Sequence, residues 1–323
     1  MKVLVIGGTG FIGFHVVHSL INNGHEARVL ALPPTPEGLA LPAEVSVVEA
    51  NLNLLPDEEC IRLLSGYKAF VFAAGADDRT VPDRPALPFF MDANVKPLVR
   101  LISLSRKAGL EAGVVMGSYF THFNRIWPEM KLAERHPYIQ SRAEQQRQGF
   151  EAAGPDFRLM FLELPFIFGS VPGRKPLWTP LVRYLESGWP VFCPEGGTAV
   201  VSVKTVATAA AAALERGKAQ QCYPLGEENL TWNELFARLS PTHEKKVKMR
   251  HLPAWLMESD LALFGFYHRI KGKEGGLHTR YLPDILLKNT FLSAQESPIL
   301  LNYRAAGMDE AFQETLESAR KSF

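Results

Sequence analysis

The sequence predicts a doubly wound α/β fold: a parallel sheet covered by helices on both faces, followed by a smaller, mostly helical lobe. Two observations carry this. Up to residue 165 short apolar runs alternate with stretches of helical periodicity, the pattern of parallel strands joined by crossover helices. The first of these runs, "KVLVI", opens directly into "GGTGFIG", a glycine-rich turn of the kind that joins a first strand to a first helix. The 323 residues, 46% hydrophobic and 21% charged, suffice for one large domain or two lobes sharing a core.

In chain order, "FHVVHSLINNG" carries apolar residues at helical spacing up to Gly24, a helix stop, and "EARVLAL" follows as the second strand. Strand, glycine turn, helix and strand fit within about thirty residues, the unit a Rossmann-type dinucleotide site requires. Further strands are expected at "VSVVEA", "AFVFAAG", "GVVMGS" and "RLMFLELP", with helices around 57–65, 90–108 and 138–153. After Pro165 the rhythm changes. "FIFGSVPGRKPLWTP" is dense in Pro, Gly and aromatics, as an irregular loop is. "VSVKTVATAAAAALERG" reads as a strand running into an alanine-rich helix, and residues 199–226 are expected to return to the first lobe. The expected division is therefore a dinucleotide-binding domain, 1–165, and a substrate lobe, 166–323. From "LPAWLMESDLALFGFYHRI" onward the chain reads as mostly helical.

A formal net charge of +1 offers no electrostatic reason for nucleic acid or an anionic membrane as main partner. The basic run "HEKKVKMRHLP" sets Lys246, Lys248 and Arg250 on one side of a strand, as a solvated face. Cys60, Cys193 and Cys222 lie far apart without a CxxC pair, which predicts neither disulfides nor zinc and fits a reduced cytoplasmic protein. The N-terminal apolar run is too short for a signal peptide, and no later segment reaches the roughly 20 apolar residues of a membrane span. His15 and His18 share a helix without further ligand residues nearby, so packing is expected there and no metal. A small-molecule substrate is the expected partner, and a homodimer is compatible with the sequence.

The glycines state the chemistry of the turn. Gly8, Gly10 and Gly13 satisfy GxGxxG, while Gly7, Gly10 and Gly13 satisfy GxxGxxG. Glycine here permits a positive φ, close approach of backbone to a pyrophosphate, and close packing of helix on strand. The amides of Gly10, Phe11 and Ile12, at the helix start, are expected to face the phosphate charge.

With these motifs the chain resembles an extended short-chain dehydrogenase/reductase of the NAD-dependent epimerase/dehydratase type, over nearly its full length. "FVFAAG", with Ala73, Ala74 and Gly75, resembles that family's fourth strand, and "ANVKPLVRLISLSRKAG" the helix bearing a structural asparagine, here Asn94. "LPFIFG", with Pro165, resembles the loop after the sixth strand, and "YPLGEENLTWNELFARL" the late strand and helix. The resemblance implies NAD or NADP on the first lobe and substrate between the lobes. It also implies a catalytic tyrosine four residues before a lysine on one helix. "HPYIQSRAEQ" supplies Tyr138 but has Arg142 where the lysine belongs. An arginine retains a cation beside the tyrosine and gives up proton transfer, since a guanidinium does not deprotonate in proteins. At about 4 Å and an effective dielectric of about 20, that charge, with an oxidised nicotinamide adding to it, is of the size needed to lower the phenol into working range as a base; the alternative is an exposed helical pair or an arginine lying on the ring.

Other positions also depart from the family. The aspartate that holds the adenine ribose at the end of the second strand is replaced by Ala31, and no arginine follows to bind a 2′-phosphate, so preference leans only slightly to NADP. Asn51, followed by Leu52, stands for an adenine-contacting aspartate. Thr198 stands where nucleotide-sugar members carry an arginine for the diphosphate, and Phe166, Phe168, Trp178 and Phe192 are the aromatic residues expected near the pocket. Ser118 is the expected substrate-orienting hydroxyl, with Tyr119 and Thr121 as neighbouring alternatives. The function expected is hydride transfer between NAD(P) and a small carbonyl or alcohol that is not a nucleotide sugar. Two other readings remain open at this point: an epimerase or dehydratase using transient oxidation, and a dinucleotide-binding sensor or scaffold without catalysis.

Overall fold

The computed structural model of the protein describes residues 1–240 and 249–322. The apolar runs of the first half become β1 (Lys2–Ile6), β2 (Glu26–Ala31), β3 (Val47–Glu49), β4 (Ala69–Phe72), β5 (Ala112–Met116) and β6 (Arg158–Glu163). Later in the chain come β7 (Phe166–Phe168), β8 (Val191–Cys193), β9 (Gly197–Ser202), β10 (Gln221–Pro224), β11 (Glu228–Thr231), β12 (Met249–His251) and β13 (Asn289–Thr290). The main sheet has seven strands in the order β10-β6-β5-β4-β1-β2-β3, every adjacent pair parallel. From β1 the chain first builds outward through β2 and β3, then crosses to β4 and builds the other way. The sheet therefore divides between β1 and β4, and a crevice opens at their carboxyl ends.

The helices between these strands are α1 (Phe11–Asn22), α2 (Asp57–Leu64), α3 (Ala86–Phe90), α4 (Lys96–Lys107), α5 (Phe120–Ile126), α6 (Leu132–Arg135) and α7 (Pro137–Ala153). α1 stops at Asn23 because Gly24 turns left-handed, with φ 74°. The second half adds α8 (Thr179–Glu186), α9 (Val203–Arg216), α10 (Trp232–Arg238), α11 (Ala254–Ile270), α12 (Leu282–Leu286), α13 (Glu296–Leu301) and α14 (Met308–Arg320). α9 starts where the Ser202 hydroxyl accepts the Thr205 amide at 3.1 Å. Its alanines lie against α1 on one face of the sheet, and β10 then pairs with β6 as the edge strand. On the opposite face α2, α4 and α7 cover a core in which Phe70 stacks on Phe157 at 5.8 Å. Each fully buried Val, Leu or Phe in these layers contributes roughly 2 kcal/mol. β9 does not join the main sheet but centres a second one, paired with β7, β11 and β13.

One buried charge ties the main sheet to the helices. Glu163, fully buried, accepts from both terminal nitrogens of Arg125 at 2.7 Å, from Thr121 at 2.6 Å and from Gln146 at 2.8 Å. A buried carboxylate is tolerable when paired and hydrogen-bonded in this way. His15 Nε2 lies 2.8 Å from the Ser170 carbonyl and His18 Nε2 3.1 Å from that of Ala40, so both rings serve packing. Of the basic run, Lys246 and Lys248 lie outside the described residues. Arg250 is exposed on β12, which pairs in parallel with β8.

Candidate functional site

The glycine turn lies at the carboxyl end of β1. Gly7 takes φ 80°, and a Cβ there would come within 2.7 Å of the Ala73 carbonyl. At Gly13 a Cβ would overlap the Gly7 carbonyl, and at Gly8 it would press on Val29. Gly7 thus serves the left-handed turn, Gly8 and Gly13 serve close packing, and a Cβ at Gly10 would lie 3.1 Å from the Gly7 carbonyl, so both glycine spacings are in use. Gly10 caps α1 in ordinary extended geometry, φ −82°, and donates to the Gly7 carbonyl at 2.9 Å. The first intrahelical bond runs from Phe14 to Gly10, so the amides of Phe11 and Ile12 have no helical acceptor, and both residues line the second cavity described below. A glycine cradle that no side chain can fill, beneath the start of a helix, fits a pyrophosphate.

Two cavities flank this turn and share Ala73, Ala74, Gly75 and Ala76. The first, about 550 Å³, is lined by Gly7, Gly10, Ala31, Asn51 and Leu52, and its walls suit an adenosine. Asn51 gives its amide oxygen to the Asn53 backbone at 3.0 Å, which leaves its NH₂ to read a base. Arg174, from the loop after β7, also lines this cavity; its distance along the chain from β2 hid it from sequence reading. The second, about 380 Å³, receives Phe11, Ile12, Ser118, Tyr138, Arg142 and Pro165.

Tyr138 and Arg142 share a face at the start of α7, both buried. Arg142 donates through Nε to the Tyr138 hydroxyl at 3.2 Å and through Nη1 to Gln145 Oε1 at 2.8 Å, and its guanidinium carbon stands 5.3 Å from the tyrosine ring centre. Weaker contacts to the Met116 and Ala76 carbonyls, each 3.4 Å, complete its cage. The balance at Tyr138 differs from the expectation. Burial outweighs the Arg142 charge and the hydrogen bonds from Ser118 and Arg142, so the phenol is held above its ordinary range, and Asp78 adds to the rise. Of the protein's influences on Tyr138, burial is the larger and Arg142 the opposing one.

Among the candidate hydroxyls, Ser118 faces the cavity and reaches Tyr138. The Tyr119 hydroxyl turns to Thr198 at 3.1 Å, with burial pushing it up to about 12, and Thr121 is committed to Glu163. Asn94 lines neither face of the Tyr138 cavity; it is fully buried behind it, in a π-helical turn (Met91–Val95). Its side chain accepts the Ala76 amide at 2.9 Å, and its carbonyl accepts Gln145 Nε2 at 2.7 Å. Asn94 therefore positions Arg142 through Gln145.

Phe166 and Trp178 line the second cavity as expected, but Phe168 and Phe192 do not. Phe168 is fully buried, stacked on Trp178 at 5.0 Å, and Phe192 points to solvent from β8, because alternate strand residues face opposite ways. Thr198 is buried on β9, outside the cavity. The described lining contains two cations: Arg142, caged as above, and Arg79, ion-paired to Asp77. It also contains Asp78, which sequence reading missed although "GADDRT" follows the fourth strand. Burial first, then the neighbouring Asp77, holds the Asp78 carboxyl above its ordinary range against the pull of Arg79 and Arg142.

A sequence model of the NAD dependent epimerase/dehydratase family matches residues 3–226. A Synechocystis protein described as "Putative dihydroflavonol 4-reductase" is 24% identical over 268 residues, 78% of this chain and 75% of its own. A 3-beta-hydroxysteroid dehydrogenase of Mycolicibacterium neoaurum is 26% identical over 166 residues, 45% of this chain and 44% of its own. The crystal structure of a UDP-glucose 4-epimerase from Thermotoga maritima with UDP-glucose superposes with a TM-score of 0.70 at 18% identity, covering 100% of this chain and 99% of that one, a likeness of fold.

Proposed function

Because the chain belongs to the NAD dependent epimerase/dehydratase family and is an NAD-dependent enzyme of that class, we propose that it reduces a carbonyl, or oxidises the corresponding alcohol, on an apolar substrate without a diphosphate, and that it leans to NADP. The observation that carries this is the lining of the second cavity. Phe120, Leu164, Phe166, Leu177 and Trp178 wall it, and the Arg79 that lines it is already paired with Asp77. Neither of its arginines is free to clamp a phosphate. The names of the reductase and steroid dehydrogenase relatives agree with an apolar carbonyl or hydroxyl.

When bound, the nicotinamide supplies or takes the hydride. The chain's residues handle the proton. Tyr138, with its hydroxyl 3.2 Å from Arg142 Nε and lining the cavity, is suited to donate its proton to the carbonyl oxygen in reduction and to take one from the alcohol in oxidation. Ser118 orients that oxygen, and Arg142 at 3.2 Å stabilises the phenolate left behind. Asp78, retaining its proton more readily than an ordinary carboxyl, can return one to the site, which a guanidinium cannot. In Tyr138→Phe the donor is absent while the wall persists.

The test is NADPH consumption by the purified enzyme across alicyclic and aromatic ketones, with UDP-glucose alongside. Turnover of ketones and none of UDP-glucose is expected. Conversion of UDP-glucose to its epimer, without net change in the cofactor, would overturn the reading in favour of transient oxidation.

A further inference from the structure

α11 is poorly covered for a helix of seventeen residues: Met257 is its buried residue. Trp255, Leu263, Phe266, Tyr267 and Ile270 are 67%, 69%, 61%, 50% and 70% exposed. Their spacing, three or four residues apart along the second half with Trp255 in register, sets them on one side of the helix. The opposite side meets the protein closely at Gly265, where a Cβ would overlap Thr279 Oγ1. An apolar stripe of this size on a water-facing helix marks a surface that something covers.

The groups around it give the chemistry of the cover. A cavity of about 410 Å³ at the carboxyl end of α11 is lined by Phe266, from the apolar stripe itself, and by Arg84, Arg269, Lys273 and Arg280. Lys273 pairs with Asp83 at 2.8 Å, and Glu274 in the same lining gives its carboxylate to the Ala86 amide at 2.7 Å. Among the described residues, Arg84, Arg269 and Arg280 have no carboxylate partner, and Arg280 lies against the Tyr281 ring at 5.6 Å. Lys271 lies over the Tyr267 ring at 4.5 Å, and Arg250 is exposed just before the helix begins. Apolar side chains beside unpaired guanidiniums match a surface that is apolar below and anionic at its rim.

We propose that α11 docks on the surface of an anionic lipid bilayer, its apolar stripe in the interface and a lipid phosphate in the Arg84, Arg269 and Arg280 cavity. The helix lies on the membrane; among the described residues no helix is long and apolar enough to cross one. The net charge of +1 concealed this because it averages over the whole chain, whereas docking responds to local charge. The loop that closes the cavity also reaches the other site. The Gly276 carbonyl accepts the Tyr138 amide at 2.9 Å, and the His278 amide donates to His136 Nδ1 at 2.9 Å. The docking surface stands whether or not the reductase reading does.

The test is sedimentation of the full chain with vesicles of phosphatidylcholine, and of phosphatidylcholine with phosphatidylglycerol. The protein is expected to pellet with the anionic vesicles only, and added salt should release it. The paired changes Phe266→Ser/Ile270→Ser and Arg269→Glu/Arg280→Glu should each weaken binding by at least about tenfold, without altering the circular dichroism melt. In the unaltered helix, Trp255 emission should shift to the blue on vesicle binding, and Trp255→Phe should remove that shift. The proposal fails if anionic vesicles do not pellet the protein, or if both pairs leave binding unchanged. It also fails if sedimentation equilibrium finds a dimer that Phe266→Ser/Ile270→Ser dissolves while vesicles have no effect.

Discussion

At Tyr138 two effects of similar size compete. A cation about 4 Å from the hydroxyl at an effective dielectric of about 20 is worth roughly 4 kcal/mol, and full burial of a phenolate costs as much or more. Burial prevails, so the phenol lies above its ordinary range. Tyr138→Phe should lower the rate of carbonyl reduction by about 10²- to 10⁴-fold with the cofactor Kd unchanged. Arg142→Ala should damage both rate and binding, and Arg142→Lys should keep activity. If Tyr138→Phe reduces an identified substrate as fast as the unaltered enzyme, the tyrosine is not the proton donor. The neighbouring His136 carries a pH prediction of its own. It is buried at the cap of α7, accepts the His278 amide through Nδ1 and is pushed down to about 4 by burial, then by His278 and Arg135. A depressed folded value means that the unfolded chain binds the extra proton, so stability is full above about 6.5 and falls as pH drops toward about 4, by about 3 kcal/mol. His136→Asn keeps an acceptor for the His278 amide and cannot titrate. Thermal melts at pH 7 and pH 4.5 should therefore lie closer together in His136→Asn than in the unaltered chain.

Among the elements, the β1 turn and the start of α1 form the unit most legible in the sequence, because its constraints are local. The glycines of the turn are needed for different reasons, a left-handed φ at Gly7 and close packing at Gly8 and Gly13. Gly13→Ala drives a methyl into the Gly7 carbonyl, so it should lower the melting temperature. Gly10→Val has an allowed backbone geometry, its Cβ meets the Gly7 carbonyl at 3.1 Å, a milder contact than the 2.2 Å at Gly13, and it adds bulk to the cavity lining where the phosphates are expected. It should lower the melt less than Gly13→Ala does and abolish cofactor binding by calorimetry; unchanged affinity would count against a pyrophosphate at this turn. The helix bearing Tyr138 was equally readable, since positions four apart share a face whatever surrounds them. What could not be read were the contents of the surroundings. Phe168 and Phe192 sit two dozen residues apart in the same aromatic-rich stretch, and only the pairing of their strands decides that one is core and the other faces water. Asp78 follows β4 as any loop acid might, and its raised value arises from burial and the neighbouring Asp77, against the pull of Arg79 and Arg142.

At the scale of the molecule, the two halves of the chain meet over the first cavity, and this bears on the choice between NAD and NADP. β2 ends at Ala31, buried, with neither a carboxylate to hold ribose hydroxyls nor a cation of its own. The loop after β7 brings a cation, Arg174, from the second half to the lining of this cavity. A Cβ at Gly173 would come within 2.6 Å of the Glu37 carbonyl, so the loop lies close against the segment that follows β2, and Arg174 lines the cavity beside Ala31 and Leu32. A guanidinium there can bind a 2′-phosphate through two charge-assisted hydrogen bonds. Fluorescence titration should accordingly give tighter binding of NADPH than of NADH. Arg174→Ala should weaken NADPH by about tenfold or more while sparing NADH, since NADH has no 2′-phosphate to lose a partner. Ala31→Asp should move preference the other way by two routes at once, gaining ribose hydroxyls for NADH and repelling the phosphate of NADPH. The two changes act on one phosphate from opposite sides of the cavity, so the double variant should prefer NADH by less than the sum of the single shifts, because the second change has no phosphate contact left to remove. An unaltered enzyme that already favours NADH about a hundredfold, or an Arg174→Ala variant whose ratio of affinities does not move, would show that the ribose is read elsewhere in the cavity.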